Sequence, residues 1–380
     1  MKSPKYRLLA MGPVPPPING MSKAFDLLVN GIREHGFEVR VVDIADRSER
    51  RQSAFSFGRA LTTLRSVAKV WANLPWCDVF YLPIAQSKLG FLKDAAVLMP
   101  AATLRRRTIV HLHGGNFPGF YNSQSAGLQW LIRQVIGRAE RIIVLTEEMR
   151  ADFAMIEGWE HSTIAVANAC DLPIIAKARQ PPGSEFRLLY LSNMMVQKGY
   201  LDLLEALGPL AALLPGRSIR ADFAGEFRLD SDGDGYASPE AMRQDFYERA
   251  ARLPSSVTAT WHGVVKGEEK AVLLRDAHAF VLPTYYVNEG QPIAILEALA
   301  SGLPVVATDH RGIRASMPTS FSGLLVPSRN PEALAQRLAA LMRGTDYSRF
   351  SGDALARAKE YVPAKHLEKM AAILSIKAET

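Results

Sequence analysis

Two carboxylates, Glu289 and Glu297, stand eight positions apart in PTYYVNEGQPIAILEALASGLPVVAT, residues 283–308. Acids at that spacing can accept hydrogen bonds from the hydroxyls of one bound ligand at two separated points. The flanking elements decide where they point. Residues 279–283 read as a short β-type run, 291–301 have helical spacing with Pro292 suited to the first turn, and Gly302 suits a C-terminal cap. Residues 303–308 read as the next parallel strand. A βαβ unit of this kind puts the start of its helix at the carboxyl ends of the strands, where open α/β sheets bind ligands and free N–H groups favour phosphate. Eight residues at helical rise span roughly 12 Å. One carboxylate can then reach a sugar beside the phosphates and the other a ribose behind them, a length that suits a nucleotide-sugar.

Glu289, Glu297 and the Glu-Ala-Leu-Ala-x-Gly-x-Pro-Val-Val-Ala run resemble the signature of retaining glycosyltransferases of the GT-B fold, specifically family 4, and the likeness is strongest over residues 186–327. The resemblance implies two Rossmann-like domains with parallel sheets facing a central cleft. It implies that Glu289 contacts the hydroxyls of the donor sugar, that Glu297 accepts from the ribose, and that the backbone amides of Gly290, Gln291 and Ile293 cradle the distal phosphate and sugar. A solvated helix face is the plainer reading of both glutamates.

Three further segments bear on a donor site. Residues 191–199, LSNMMVQKG, resemble the family's Gly-Arg-x4-Lys-Gly phosphate loop. Lys198 matches the lysine and would neutralise a diphosphate as a point charge. Asn193 stands where the arginine usually does and Ser192 where the glycine does; an amide offers neither charge nor a bidentate fork. Leaving-group stabilisation would then lean on Lys198 and the helix terminus, or on Arg311 or Lys266. In residues 11–20, MGPVPPPING, Gly20 would let backbone approach the donor phosphates or the acceptor, with a stiff, purely structural turn as the rival reading. His113, at the end of an expected strand over 108–113, matches the family histidine placed over the donor sugar, with His111 on the same strand face as the lesser candidate. Thr146 and Asn168 carry no assigned chemistry.

The pattern 230–235, DSDGDG, opens like a calcium loop, but Ala241 stands where that loop needs a bidentate glutamate, so a solvated acidic loop is the better reading and no metal is expected. The resemblance implies a UDP- or GDP-sugar as donor substrate and no bound cofactor.

Strand and helix patterns alternate along the chain, as in parallel sheets covered on both faces. Expected strands lie at 6–11, 38–43, 78–82, 108–113, 141–145 and 163–167, then at 186–192, 218–225, 257–264, 279–283, 304–308 and 324–327. The Pro- and Gly-bearing stretch 171–184 reads as a hinge where the cleft opens. The expected division is 1–172 for an acceptor domain, 185–355 for a donor domain and 356–380 for a helical segment that returns to the first.

With 380 residues, 48% hydrophobic and 22% charged, the chain suits two separate cores. Cys77 and Cys170 lack metal or disulfide spacing, no signal-length apolar run is visible, and a cytoplasmic setting is expected. The net charge of +7 favours anionic partners. From Arg47 to Trp76 six basic residues face one acid among Phe55, Phe57, Leu61, Leu64, Trp71 and Trp76. That segment is either an interfacial helix on anionic lipid at the inner face of the cell membrane, or a surface helix packed on its sheet. Nucleic acid fits less well, since no nucleic-acid motif accompanies it.

The expected activity is transfer of a sugar, with retention, to an acceptor hydroxyl, on a saccharide or polyprenyl-linked saccharide of bacterial exopolysaccharide or surface-glycan synthesis. Two rivals stay open, a catalytically silent GT-B protein that binds glycan or a partner, and a sugar-nucleotide epimerase. Asn193 and the Arg314-Ala315 pair, which replaces the family's Pro-Glu, keep the silent reading alive.

Overall fold

The structure, a computed structural model, describes residues 6–16, 20–45, 57–230 and 235–375. The chain divides into two compact units, the first formed by Met1–Ala169 with Pro363–Thr380 and the second by Cys170–Val362.

The first unit holds β1 (Tyr6–Gly12), α1 (Gly20–Gly31), β2 (Phe37–Asp43), α2 (Phe57–Asn73), β3 (Val79–Pro83), α3 (Lys88–Thr103), β4 (Arg107–His111), α4 (Phe117–Asn122), α5 (Ala126–Ile136), β5 (Arg141–Val144), α6 (Trp159–Ser162) and β6 (Thr163–Ala165). The strands form one parallel sheet in the order β2-β1-β3-β4-β5-β6. Successive side chains of a strand point to opposite faces, and in β1 both faces are core. Leu9 and Met11 enter a cluster with Val70 of α2, Phe91 of α3 and Ile132 of α5, while Leu8 and Ala10 enter another with Phe25 and Leu28 of α1. Each such fully buried leucine stabilises the unit by about 2 kcal/mol.

The second unit holds β7 (Glu185–Leu191), α7 (Tyr200–Leu213), β8 (Ser218–Ala224), α8 (Pro239–Ala250), β9 (Val257–Trp261), α9 (Gly267–Asp276), β10 (Ala279–Leu282), α10 (Ile293–Ala300), β11 (Val305–Thr308), α11 (Ile313–Ser316), β12 (Leu325–Val326), α12 (Pro331–Arg343) and α13 (Tyr347–Ala358). Its strands are also parallel, in the order β12-β11-β10-β7-β8-β9. The last helix, α14 (Pro363–Ser375), belongs to the first unit, where Leu367, Met370 and Leu374 join the cluster of α1. Arg107 fixes its end by donating to the carbonyls of Ile373 and Leu374 at 3.2 and 2.7 Å.

Two expectations need correction. The stretch 171–184 is held by the second unit: Ile175 N donates to Ala300 O at 3.0 Å, and the Arg179 guanidinium donates to the carbonyls of Leu274, Arg275, Ala277 and Ser301 at 2.6–2.7 Å. Its prolines shape a strap, because a fork of charged donors finds the open carbonyls of a helix end. Strand β4 ends at His111, so His113 sits two residues beyond it. Trp76 is half-buried, with the Arg40 guanidinium 4.0 Å above its ring. Residues 17–19, 46–56 and 231–234, which include Arg47, Phe55 and most of the DSDGDG loop, lie outside the described residues.

Candidate donor site

Two loops of the second unit meet at the carboxyl ends of neighbouring strands β7 and β10. The first runs from β7 to α7. The apolar strand Glu185–Leu191 ends at Ser192, and a single helical turn, Val196–Lys198, leads to Gly199 at φ 79°. A Cβ there would sit 2.2 Å from the carbonyl oxygen of Pro283, at the end of β10. Only glycine fits both the left-handed backbone and that approach. The second loop is strapped to the first: Tyr285 N donates to Gln197 O at 2.8 Å and Thr284 Oγ1 donates to the same carbonyl at 3.2 Å.

This contact brings Lys198 Nζ to 2.7 Å from Glu289 Oε2, with both side chains largely buried. Thr284 Oγ1 lies 3.1 Å from the same carboxylate oxygen, and the Tyr286 ring lies 4.5 Å from the ammonium, in cation–π range. Glu289 is set by a turn in which its N–H donates to Tyr286 O at 2.9 Å, and His310 Nε2 approaches that carbonyl at 2.8 Å. An ammonium and a carboxylate, hydrogen-bonded and shielded from water, form a charge pair that an anionic, hydroxyl-bearing ligand can divide between its phosphate and its sugar.

Helix α10 opens after Pro292, which serves as N-cap rather than lying inside the first turn, and Ile295 N donates to Pro292 O. Gly302, at φ 65°, follows its end. Gly290 and Gln291 are buried at the helix start, and Ile293 is its first residue. Glu297, one side of the helix further on, is buried and pairs with Lys270 of α9 at 2.7 Å. The two glutamates are therefore held by two different lysines. Asn193 accepts a hydrogen bond from Tyr190 Oη at its carbonyl, 3.0 Å away, just past β7. Of the alternative cations, Lys266 is exposed before α9, and Arg311 is exposed with a left-handed φ of 47°. Arg314 pairs with Asp309.

In the first unit, Gly20 starts α1 and is exposed. His113 stacks on His111, ring centroids 3.9 Å apart, and His111 Nδ1 lies 2.7 Å from Tyr81 Oη. Burial holds the His113 imidazole down to about 4, helped by nearby His366 and opposed by a hydrogen bond to Asn168. It is neutral at physiological pH and offers one donor and one acceptor. His366, bound to Ala167 O at 2.8 Å through Nδ1, comes from α14, so this cluster needs the far end of the chain.

Sequence reasoning missed Thr284, Tyr286, Lys270 and the Asn168 contact. Thr284 and Tyr286 lie within the quoted 283–308 stretch and had a signal in their adjacency to Glu289; Lys270 is one of many charges on α9 and had none. Among the described residues no cluster of potential metal ligands occurs.

Residues 185–344 match the family model Glyco_trans_1_4, glycosyl transferases group 1. WcaL of Escherichia coli (strain K12), whose name places it in colanic acid biosynthesis, is 40% identical over 108 residues, 26% of this chain and 25% of its own. The D-inositol 3-phosphate glycosyltransferase of Streptomyces bingchenggensis (strain BCW-1) is 28% identical over 216 residues, 54% of this chain and 46% of its own. The matches thus span less than half the length of these curated relatives. Among solved structures, HepE of Anabaena in complex with UDP and glucose superposes with a TM-score of 0.69 at 17% identity, covering 97% of this chain and 99% of that one. Sucrose-phosphate synthase of Thermosynechococcus elongatus does so with a TM-score of 0.69 at 17% identity, covering 97% and 98%. At such identities a structural likeness speaks for the fold. Residues 185–344 are thus similar to the group 1 glycosyltransferases, and the chain has the GT-B fold.

Proposed function

We propose that the protein is a retaining glycosyltransferase that takes a sugar from a nucleotide diphosphate-sugar to an acceptor hydroxyl. The observation that carries this reading is the buried Lys198–Glu289 pair at the mouth of α10, set by Thr284 and Tyr286. With donor present, Lys198 turns to the diphosphate, whose negative charge grows as the anomeric carbon–oxygen bond breaks, and Glu289 accepts from the sugar hydroxyls. The bonding pair leaves with the diphosphate. The acceptor oxygen attacks from that same face and its proton passes to the departing phosphate oxygen, so configuration is retained without a side-chain nucleophile. Glu297 takes the ribose hydroxyls, and neutral His113 takes a hydroxyl of the donor sugar.

The donor class draws support from the complexes of HepE with UDP and with UDP-glucose. The acceptor is a saccharide, carried on a polyprenyl lipid, in exopolysaccharide or surface-glycan synthesis; relatives named for colanic acid and amylovoran biosynthesis favour it. The enzyme works in the cytoplasm in peripheral contact with an anionic membrane, and among the described residues no helix is long and apolar enough to cross one. A screen of UDP- and GDP-sugars by thermal shift, followed by product analysis with a lipid-linked acceptor, tests the reading. An α-linked product formed by wild type and lost in Lys198→Ala and Glu289→Ala is expected. Full turnover in both variants would refute it, donor binding without any turnover would favour the silent GT-B reading, and interconversion of donor without acceptor would favour the epimerase.

A further inference from the structure

We infer that the outer face of α2, α3 and α5 is a docking surface for an anionic lipid bilayer. On α2, Leu61, Leu64 and Trp71 recur at helical spacing and are 42%, 65% and 51% exposed, while Val67, Val70 and Leu74 on the other side of the helix are core. On α3, Leu89, Leu92 and Met99 repeat that spacing at 71%, 40% and 44% exposure. The stripes adjoin, because Trp71 Nε1 donates to the carbonyl of Ala96, between Leu92 and Met99, at 2.9 Å. Trp130 of α5 is 57% exposed. The inner sides of all three helices enter one core cluster, so their outer sides form one layer.

The charge on this layer has a single sign. Helices α2 and α5 contain no acid, and the one acid of α3, Asp94, is fully buried, where it accepts from Ala85 N and Lys93. Arg65, Lys69, Lys88 and Arg133 are exposed beside the stripes. Past the end of α3, a hollow of about 350 Å³ is lined by Arg105, Arg106, Arg107 and Arg138, and its one acid, Glu140, is engaged by Arg107 at 2.7 and 2.8 Å. Met99 and Arg138 share the recess next to it. Apolar stripes that end at unopposed arginines match acyl chains capped by phosphate headgroups. Protein interfaces are depleted of lysine, whereas Lys69 and Lys88 stand exposed beside these stripes.

The surface deepens the membrane contact of the proposed function and is testable without donor or acceptor. Full-length protein is sedimented with vesicles of phosphatidylcholine alone, and with vesicles of equal parts phosphatidylcholine and phosphatidylglycerol. Binding to the mixed vesicles at low salt is expected, weakened about tenfold or more by high salt and by removal of the anionic lipid. Leu64→Glu with Leu92→Glu, and separately Arg105→Glu with Arg138→Glu, should each weaken binding about tenfold, with unchanged melting and donor consumption. Brominated acyl chains should quench fluorescence that Trp71→Phe and Trp130→Phe remove. Wild-type protein left in the supernatant at low salt, as a protein-docking face would leave it, overturns the inference, and so does wild-type binding by both double variants. In the wild type, absent vesicle binding beside intact donor turnover sinks the surface alone, and vesicle binding without any donor turnover sinks the transferase reading alone.

Discussion

Lys198 Nζ and Glu289 Oε2 lie 2.7 Å apart although 91 positions separate the residues in sequence. Three devices hold the pair: Gly199 pressed against Pro283, the hydrogen bonds from Tyr285 and Thr284 to Gln197, and the Tyr286 ring against the ammonium.

Replacing either partner strands the other charge in a largely dry site. Lys198→Ala and Glu289→Ala should each lower kcat by about a hundredfold to a thousandfold, the range for losing one preorganised electrostatic group. Each should cost about 1–3 kcal/mol in urea unfolding, and the double variant should lose less than the sum, since the stranded charge is gone. Additive losses would mean that the pair does not couple.

Gly199→Ala introduces both a left-handed backbone strain and a clash with the Pro283 carbonyl. A loss of about 1–3 kcal/mol is expected, with a rise in donor KM as Lys198 is displaced. Chemical denaturation and donor titration check it, and Gly352→Ala, where a Cβ meets nothing within 4 Å, is the control.

Glu297→Gln keeps the shape of a side chain assigned to the ribose but removes its charge from Lys270. Donor KM should rise about tenfold with kcat nearly unchanged, the signature of binding felt equally in ground and transition states. An unchanged KM for the nucleotide-sugar would remove Glu297 from the donor site.

Burial holds His113 at about 4, below the ordinary 6.5 of the unfolded chain, and pushes His111 and His366 down as well. Between those limits the unfolded state binds more protons, so stability rises with pH through that window and levels off above it. Melting temperature should fall as pH drops from 7 to 5. His113→Asn should flatten the profile, removing about 1–3 kcal/mol of pH dependence. An unchanged slope would show that the ring is not desolvated.

Arg179→Ala removes four charge-assisted hydrogen bonds to carbonyls at the end of α9 and after α10. A cost of about 2–4 kcal/mol is expected, and limited proteolysis should cut within residues 171–184, which the intact strap resists.

The twelve strands among the described residues were legible to within a few residues, because central strands such as β3, β10 and β11 are buried along their length and read as short apolar runs, while the half-exposed edge strands β2 and β9 alternate polar and apolar residues. Helix α10 was legible from its spacing and from Gly302, and Lys198 from the glycine that follows it. Those signals are local, set by backbone sterics and burial period within a dozen residues. Which lysine meets which glutamate was decided by tertiary structure: Lys198 and Lys270 look alike in sequence, and only the crossing of the β7 and β10 loops gives Glu289 the first and leaves Glu297 the second. The same holds for Arg179, drawn out of an expected hinge by carbonyls about a hundred residues away, and for His113, whose ring is held neutral chiefly by burial and secondarily by His366 of the last helix. Burial and pairing are properties of what closes over a side chain, and the groups that close over these ones are distant in sequence.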